Sequence, residues 1–110
     1  MACIGWHKKP DAWVVAGWAF RQVLEDVRSQ CPDDAQMISE LELARDLKYV
    51  FIDSFGPDLA KRLAEAIQIT AAGIQTGQIR SGILDKRGFT ANDVLEYRDS
   101  MRELVAVVSE

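Results

Sequence analysis

Each of the three prolines in this chain is followed at once by an aspartate and then by a helix-forming sequence. Proline at the first position of a helix loses no backbone hydrogen bond, and an acidic side chain there interacts favourably with the helix dipole. Pro10, Pro32 and Pro57 therefore predict three helix starts. A fourth start is predicted at 90–93, where a threonine and an aspartate have the spacing of a capping box.

Between these starts the apolar residues recur at helical spacing and do not settle into the two-residue alternation of strands. The connections before the second and third helices are short, which favours antiparallel neighbours. We therefore expect a single all-α domain over 1–110, an antiparallel four-helix bundle. The predicted segments are an irregular N-terminal arm at 1–10 and helices at about 11–30, 33–55, 58–77 and 90–109.

The connection before the last helix contains four glycines, at positions 73, 77, 82 and 88. The register of the apolar stripe changes after Gly77, so the third helix does not continue unbroken. The pattern predicts a kink, a short extra helix or a loop within 78–88, ended by Gly88. A β-hairpin is the alternative for this segment, although a lone pair of strands is only marginally stable.

Composition narrows the class of protein. Of the 110 residues, 48% are hydrophobic and 27% are charged, which is typical of one folded domain. The formal net charge of −4 disfavours nucleic acid as a partner, and the longest apolar stretch is too short to span a membrane. Two cysteines, Cys3 and Cys31, are too few for a disulfide framework. Reduced thiols and a cytoplasmic location are expected.

The sequence contains few candidates for catalytic or metal-binding residues. His7 is the chain's only histidine and has no evident orienting carboxylate, and the Glu-x-x-His pairs of di-metal bundles are missing from the sequence. Cys31 stands before Pro32 at a predicted helix start, where the helix dipole would activate a thiol. The alternative for Cys31 is an ordinary capping or buried residue. We predict no catalytic residue, no metal ligand and no cofactor.

The first predicted helix is apolar nearly all round. If Trp13 faces the core, Val14, Val15 and Trp18 extend around the helix and need a cover. The cover is either the N-terminal arm, folding back through Trp6, or another protein chain. The sequence therefore predicts partner binding through Val14, Val15, Trp18 and Trp6, in a homodimer or with a different protein.

The leading hypothesis for function is a cytoplasmic protein-binding or regulatory helical module that acts through helix faces and homo-oligomerisation. One alternative is a small acidic inhibitor or immunity-type protein whose negative surface meets a basic partner. Nucleic-acid binding through Arg80, Lys86 and Arg87 is a weaker alternative, because the net charge opposes it.

A further alternative is a small-ligand-binding or enzymatic bundle with a pocket between its helices. The pocket would be lined by Trp13, Phe51 and Tyr97, together with Trp18, and Glu40 would be its polar group. Glu40 falls between apolar residues of the second helix, and we expect it at the rim of that stripe because buried carboxylates are rare without a partner.

Overall fold

The computed structural model describes residues 1–109, and these form four α-helices and a three-stranded β-sheet. The all-α bundle predicted from the sequence is therefore wrong, and the fold is a small mixed α/β domain. The elements are β1 (Ala2–Gly5), β2 (Ala12–Val15), α1 (Gly17–Gln30), α2 (Ala35–Leu47), β3 (Tyr49–Phe51), α3 (Pro57–Thr76) and α4 (Ala91–Val108), with short 3-10 turns at Ile52–Ser54 and Gly82–Asp85.

The sheet has the strand order β2-β1-β3, with β1 antiparallel to β2 and parallel to β3. Ile4 lies between Trp13 and Val50, and these three side chains are at most 2% exposed. They form the inner face of the sheet, against which α1 and α4 pack. Successive residues of a strand point to opposite faces, so Cys3 and its two neighbours, Val14 and Tyr49, lie on the outer face.

The first predicted helix begins later than the sequence indicates. Residues 12–15 form β2, and α1 begins only at Gly17, so Pro10 does not start a helix. A four-residue strand is too short to reveal its own period, and Trp13 happens to fit the helical spacing of the residues that follow it. The strand exists because β1, in the segment predicted to be an irregular arm, supplies the backbone partners.

The second predicted helix is shorter than expected. It ends at Leu47 because Lys48 has a left-handed backbone with φ of 67°, and residues 49–51 then form β3. The apolar residues Leu47, Phe51 and Phe55 have helical spacing, which misled the sequence interpretation. Pairing with β1 decides the conformation of this segment, and that pairing joins residues more than 40 positions apart.

Local capping residues mark the starts of α2 and α4, but Pro32, predicted to be the first residue of a helix, lies before the α2 N-cap. Asp34 caps α2 by accepting the Met37 backbone N–H at 3.1 Å. That hydrogen bond and the Arg62 guanidinium lower the pKa of Asp34. At the start of α4 the predicted capping box is confirmed, because Thr90 and Asp93 exchange side-chain-to-backbone hydrogen bonds of 3.1 and 2.9 Å.

After α3 the chain turns back on itself. Gly77, with φ of 83°, ends the helix, and the Ile79 N–H donates to the carbonyl of Gly73 at 3.0 Å. Ile79 packs so closely that a Cβ on Gly73 would lie 2.4 Å from its Cδ1 atom. This return places the 3-10 turn that follows beside α1. Within residues 1–109, none of the helices combines the length and apolarity needed to cross a membrane.

Candidate functional site

A carboxylate with four hydrogen-bond donors lies at the centre of the domain. Asp26 of α1 is 4% exposed and lies where α1, the 3-10 turn before α4, and α4 itself meet. Its partners are Tyr97 Oη at 2.7 Å and Ser81 Oγ at 2.6 Å on Oδ2, and Gly82 N at 2.9 Å and Gln22 Nε2 at 3.1 Å on Oδ1. A buried carboxylate with this many donors is well satisfied, so we assign the cluster a structural role.

Tyr97 is the most distant of these donors along the chain. Burial raises the pKa of its hydroxyl far above the ordinary value, and the nearby Asp26 carboxylate raises it further. The hydroxyl therefore stays protonated and keeps donating to Asp26. This bond joins α4 to α1 across 71 positions of the sequence.

A groove of about 430 Å³ lies between α2 and β3. Its volume is within the range of small-molecule sites. One wall is a single helical face of α2, and the other is β3 with the turn that follows it. The lining residues are His7, Glu40, Leu43, Ala44, Leu47, Tyr49, Val50, Phe51, Ser54 and Phe55.

Glu40 is the one acidic residue of this lining, and it is half-buried. Within residues 1–109 it forms no hydrogen bond and no ion pair, in contrast to Asp26. No lysine or arginine of the described chain lines the groove. Glu40 is therefore a carboxylate beside apolar side chains without a counter-ion, and it can accept a hydrogen bond or a positive charge from a bound molecule.

His7 lies at one end of the groove and is held there by two contacts. Its ring stacks on Phe51 with centroids 4.3 Å apart, and its backbone N–H donates to Asp53 at 2.7 Å. Asp53 also accepts the Lys8 N–H at 3.0 Å, and its Oδ1 lies 3.5 Å from His7 Nδ1. The backbone bond from His7 is the main reason that the pKa of Asp53 is lowered. The carboxylate thus fixes the segment that closes this end of the groove.

The outer face of the sheet is apolar. Its central row consists of Val14, Cys3 and Tyr49, and Val14 and Tyr49 are 54% and 46% exposed. A sheet face in contact with water normally carries polar side chains, yet no charged residue of the described strands points outward here. Leu47 and Leu43 of α2, 47% and 54% exposed, line the same groove as Tyr49 and continue this row.

We call the set Val14, Cys3, Tyr49, Leu47 and Leu43 the outer apolar surface. The sequence pattern did not mark Cys3, Tyr49, Leu43 or Leu47 as functional. A signal was present for Leu43, which lies off the stripe of Met37, Leu41 and Ala44, whereas Leu47 follows Ala44 by three residues and was assigned to that stripe. Cys3 and Tyr49 join them only through strand pairing, which the sequence did not reveal.

The four predicted partner-binding residues do not share one face. Val14 belongs to the outer apolar surface, but Val15 is partly buried on the inner side of the sheet and Trp6 is buried at 6% exposure. Trp18 is partly buried and packs against Phe89, with ring centroids 5.1 Å apart. Part of the cover that the first helix needs therefore comes from the chain's own segment before α4.

The residues of the predicted pocket are divided between two places. Glu40 and Phe51 line the groove together. Trp13 is buried at 1% exposure and donates from Nε1 to the Ser100 carbonyl at 3.0 Å, and Tyr97 is equally buried against Asp26. The groove is thus built from α2 and β3 and does not lie between bundled helices.

The remaining candidates are placed as follows. Cys31 lies at the C-terminal end of α1, where burial, and then the Asp34 carboxylate, raise the pKa of its thiol. A raised pKa disfavours the reactive thiolate, so the activation suggested by a helix start is not found. Arg80 pairs with Asp85 at 2.8 Å, and Lys86 Nζ lies 2.6 Å from a carboxylate oxygen of Glu25. No cluster of potential metal ligands occurs within residues 1–109.

Comparison of the chain with protein-family models, with curated proteins and with solved structures finds no match. Function is therefore inferred from the geometry of the outer apolar surface and of the groove beside it.

Proposed function

We propose that the protein is a small protein-interaction module that associates with a second copy of itself through the outer apolar surface. The observation that carries this proposal is the row Val14, Cys3 and Tyr49, an apolar sheet face that no described helix covers. Contiguous apolar surface on a folded domain marks an interaction site more often than it is left in water.

The extent of the surface suits a modest interface. Strands are spaced about 4.8 Å apart, so three strands and the adjoining helix span about 20 Å. Leu43 and Leu47 extend the row beyond the sheet edge. A surface of this size favours a dimer that forms at high protein concentration over an obligate one.

Charge permits a second copy to dock at the outer apolar surface. The chain has a formal net charge of −4, so two copies repel each other over most of their surface. The outer apolar surface has no charged side chain, and a two-fold axis would bring two such surfaces together without opposing like charges. A basic partner, as in the inhibitor hypothesis, would find no carboxylate among the five residues of this surface, and Glu40 is the one acidic residue in the described lining of the adjoining groove.

The test is the molecular mass as a function of concentration, measured by sedimentation equilibrium. We expect the wild-type chain to dimerise and Val14→Glu to remain monomeric, because two buried carboxylates would face each other across the interface. Leu95→Glu is the matched control, since Leu95 on α4 is 55% exposed and lies outside the surface. A wild-type chain that is monomeric at every concentration, or equal dimerisation of Val14→Glu, would overturn the proposal.

Cys3 offers an independent readout because it lies on the central strand of the surface. In a Cys31→Ser background, a bifunctional maleimide is expected to join two copies through Cys3. The Cys3→Ser variant should give no covalent dimer. Cross-linking of equal yield through Cys31 would indicate random collision and count against the proposed interface.

We also propose a reducing compartment, the cytoplasm, as the site of action. Both thiols, Cys3 and Cys31, are free. Disulfides form and persist in oxidising compartments, and unpaired thiols suit a reducing one. Fractionation of cells that express the tagged chain tests this part of the proposal, and recovery in a secreted fraction would contradict it.

A further inference from the structure

We infer that the groove between α2 and β3 binds an organic ammonium ion with an apolar body. This goes beyond self-association: the groove shares Leu43, Leu47 and Tyr49 with the outer apolar surface, but it also depends on Glu40, which lies outside that surface. Three observations carry it: the unpartnered carboxylate of Glu40, the apolar and aromatic walls, and the lack of lysine and arginine in the described lining.

Glu40 lies beside apolar side chains of the groove. A half-buried carboxylate beside Leu43 and Ala44 is partly deprived of water, and this costs free energy unless a donor or cation replaces that water. Elsewhere in the domain this cost is met from within the chain, as it is for Asp26. Glu40 has no such partner among the described residues, so a bound cation would supply the missing interaction.

The groove has apolar and aromatic walls. Leu43, Leu47 and Val50 are apolar, and the rings of Tyr49 and Phe51 lie 5.6 Å apart at an angle of 43°. Aromatic faces attract cations and also bury the apolar part of a ligand. A ligand that has both an ammonium group and an apolar body is complementary to this combination of carboxylate and rings.

The lining disfavours an anionic ligand. His7 is the one residue of the lining that can become cationic, and its Nδ1 lies 3.5 Å from the carboxylate of Asp53. That pair adds no net positive charge at its end of the groove. An anionic ligand would meet Glu40 without a lysine or arginine of the described lining to offset it.

The experiment uses three probes with the same aromatic body and different charges: phenethylammonium, 2-phenylethanol and 3-phenylpropanoate. Each is titrated at low salt into the isotopically labelled chain, with amide and aromatic resonances of the groove followed by NMR. We expect the ammonium probe to bind about tenfold more tightly than the alcohol, and the carboxylate probe to bind most weakly.

Glu40→Gln is expected to bring the affinities of the three probes together without abolishing binding, because the apolar walls remain. Glu42→Gln is the matched control on the same helix. Glu42 is exposed, lies 3.2 Å from Arg28 and does not line the groove, so this variant should keep the wild-type preference.

Equal binding of the three probes by the wild-type chain would overturn the inference. So would a preference that survives in Glu40→Gln, or no saturable binding of any probe at millimolar concentration. Repeating the titrations with Val14→Glu separates the two proposals. A monomeric variant that still prefers the ammonium probe shows that ligand binding stands whether or not self-association does.

Discussion

Asp26 and Glu40 are both helical carboxylates with reduced contact with water, yet they have opposite surroundings. Asp26 is 4% exposed and accepts hydrogen bonds from four groups, whereas Glu40 is half-buried and accepts none within residues 1–109. A buried charge whose hydrogen bonds are all made within the chain rigidifies a fold. A carboxylate that the chain leaves unpartnered is available to something else, and this contrast separates the structural centre from the candidate site.

The largest expected effect comes from removing each carboxylate in turn. Asp26→Ala leaves four donors facing a cavity, and we expect the free energy of unfolding to fall by about 3 kcal/mol or more. Glu40→Ala removes a carboxylate without a partner and should change the free energy of unfolding by less than about 0.5 kcal/mol. Urea denaturation measures both, and similar losses in the two variants would break the contrast.

A smaller effect is expected from one donor of the Asp26 cluster. Tyr97→Phe keeps the ring and removes the hydroxyl 2.7 Å from Asp26 Oδ2, where the Ser81 hydroxyl remains. The expected loss of stability is about 1–2 kcal/mol by urea denaturation. An unchanged free energy of unfolding would show that the hydrogen bond between α1 and α4 does not stabilise the fold.

Tyr97 also predicts that the stability of the folded chain decreases at alkaline pH. Burial raises the pKa of Tyr97 above the unfolded value of about 10, so the folded chain holds its phenolic proton more tightly than the unfolded chain does. The corresponding stability is fully present below pH ~10 and is lost as the pH rises further. Thermal melts of wild type and Tyr97→Phe above that pH test this, and the wild type should lose stability more steeply.

Asp53 is intermediate between the two carboxylates, since it accepts two backbone N–H groups near the surface, and its removal is expected to have a small effect on stability. Its pKa is lowered, so its contribution is present above the unfolded value of about 3.9 and is lost as the pH falls through the folded pKa. Asp53→Asn should lower the melting temperature slightly at neutral pH. The difference from wild type should vanish in acid, and a difference that grows in acid would contradict this assignment.

How far the sequence could be interpreted depended on the range of the interactions involved. The capping box of Thr90 and Asp93, and the proline at the start of α3, act within one helical turn, and both are found in the structure. The sheet was missed because its strand pairs join Cys3 to Val14 and to Tyr49, and no pattern among neighbouring residues indicates such pairing.

The candidate site shows the same limit. Glu40 and Phe51 were both selected as pocket residues from the sequence, but with Trp13 and Tyr97 as their companions. An unbroken helix over 33–55 would have placed Glu40 and Phe51 three turns apart along one axis. The left-handed turn at Lys48 folds β3 back beside α2, which makes two walls of one groove out of that segment.

By itself, the sequence determined the four helical segments in outline, because helical period and capping are properties of neighbouring residues. Only the tertiary structure decided which apolar residues are covered. Trp18 packs against Phe89 of its own chain, whereas Val14 and Tyr49 are exposed on the outer face of the sheet. Burial depends on which distant segments meet, and a single chain's local pattern does not contain that information.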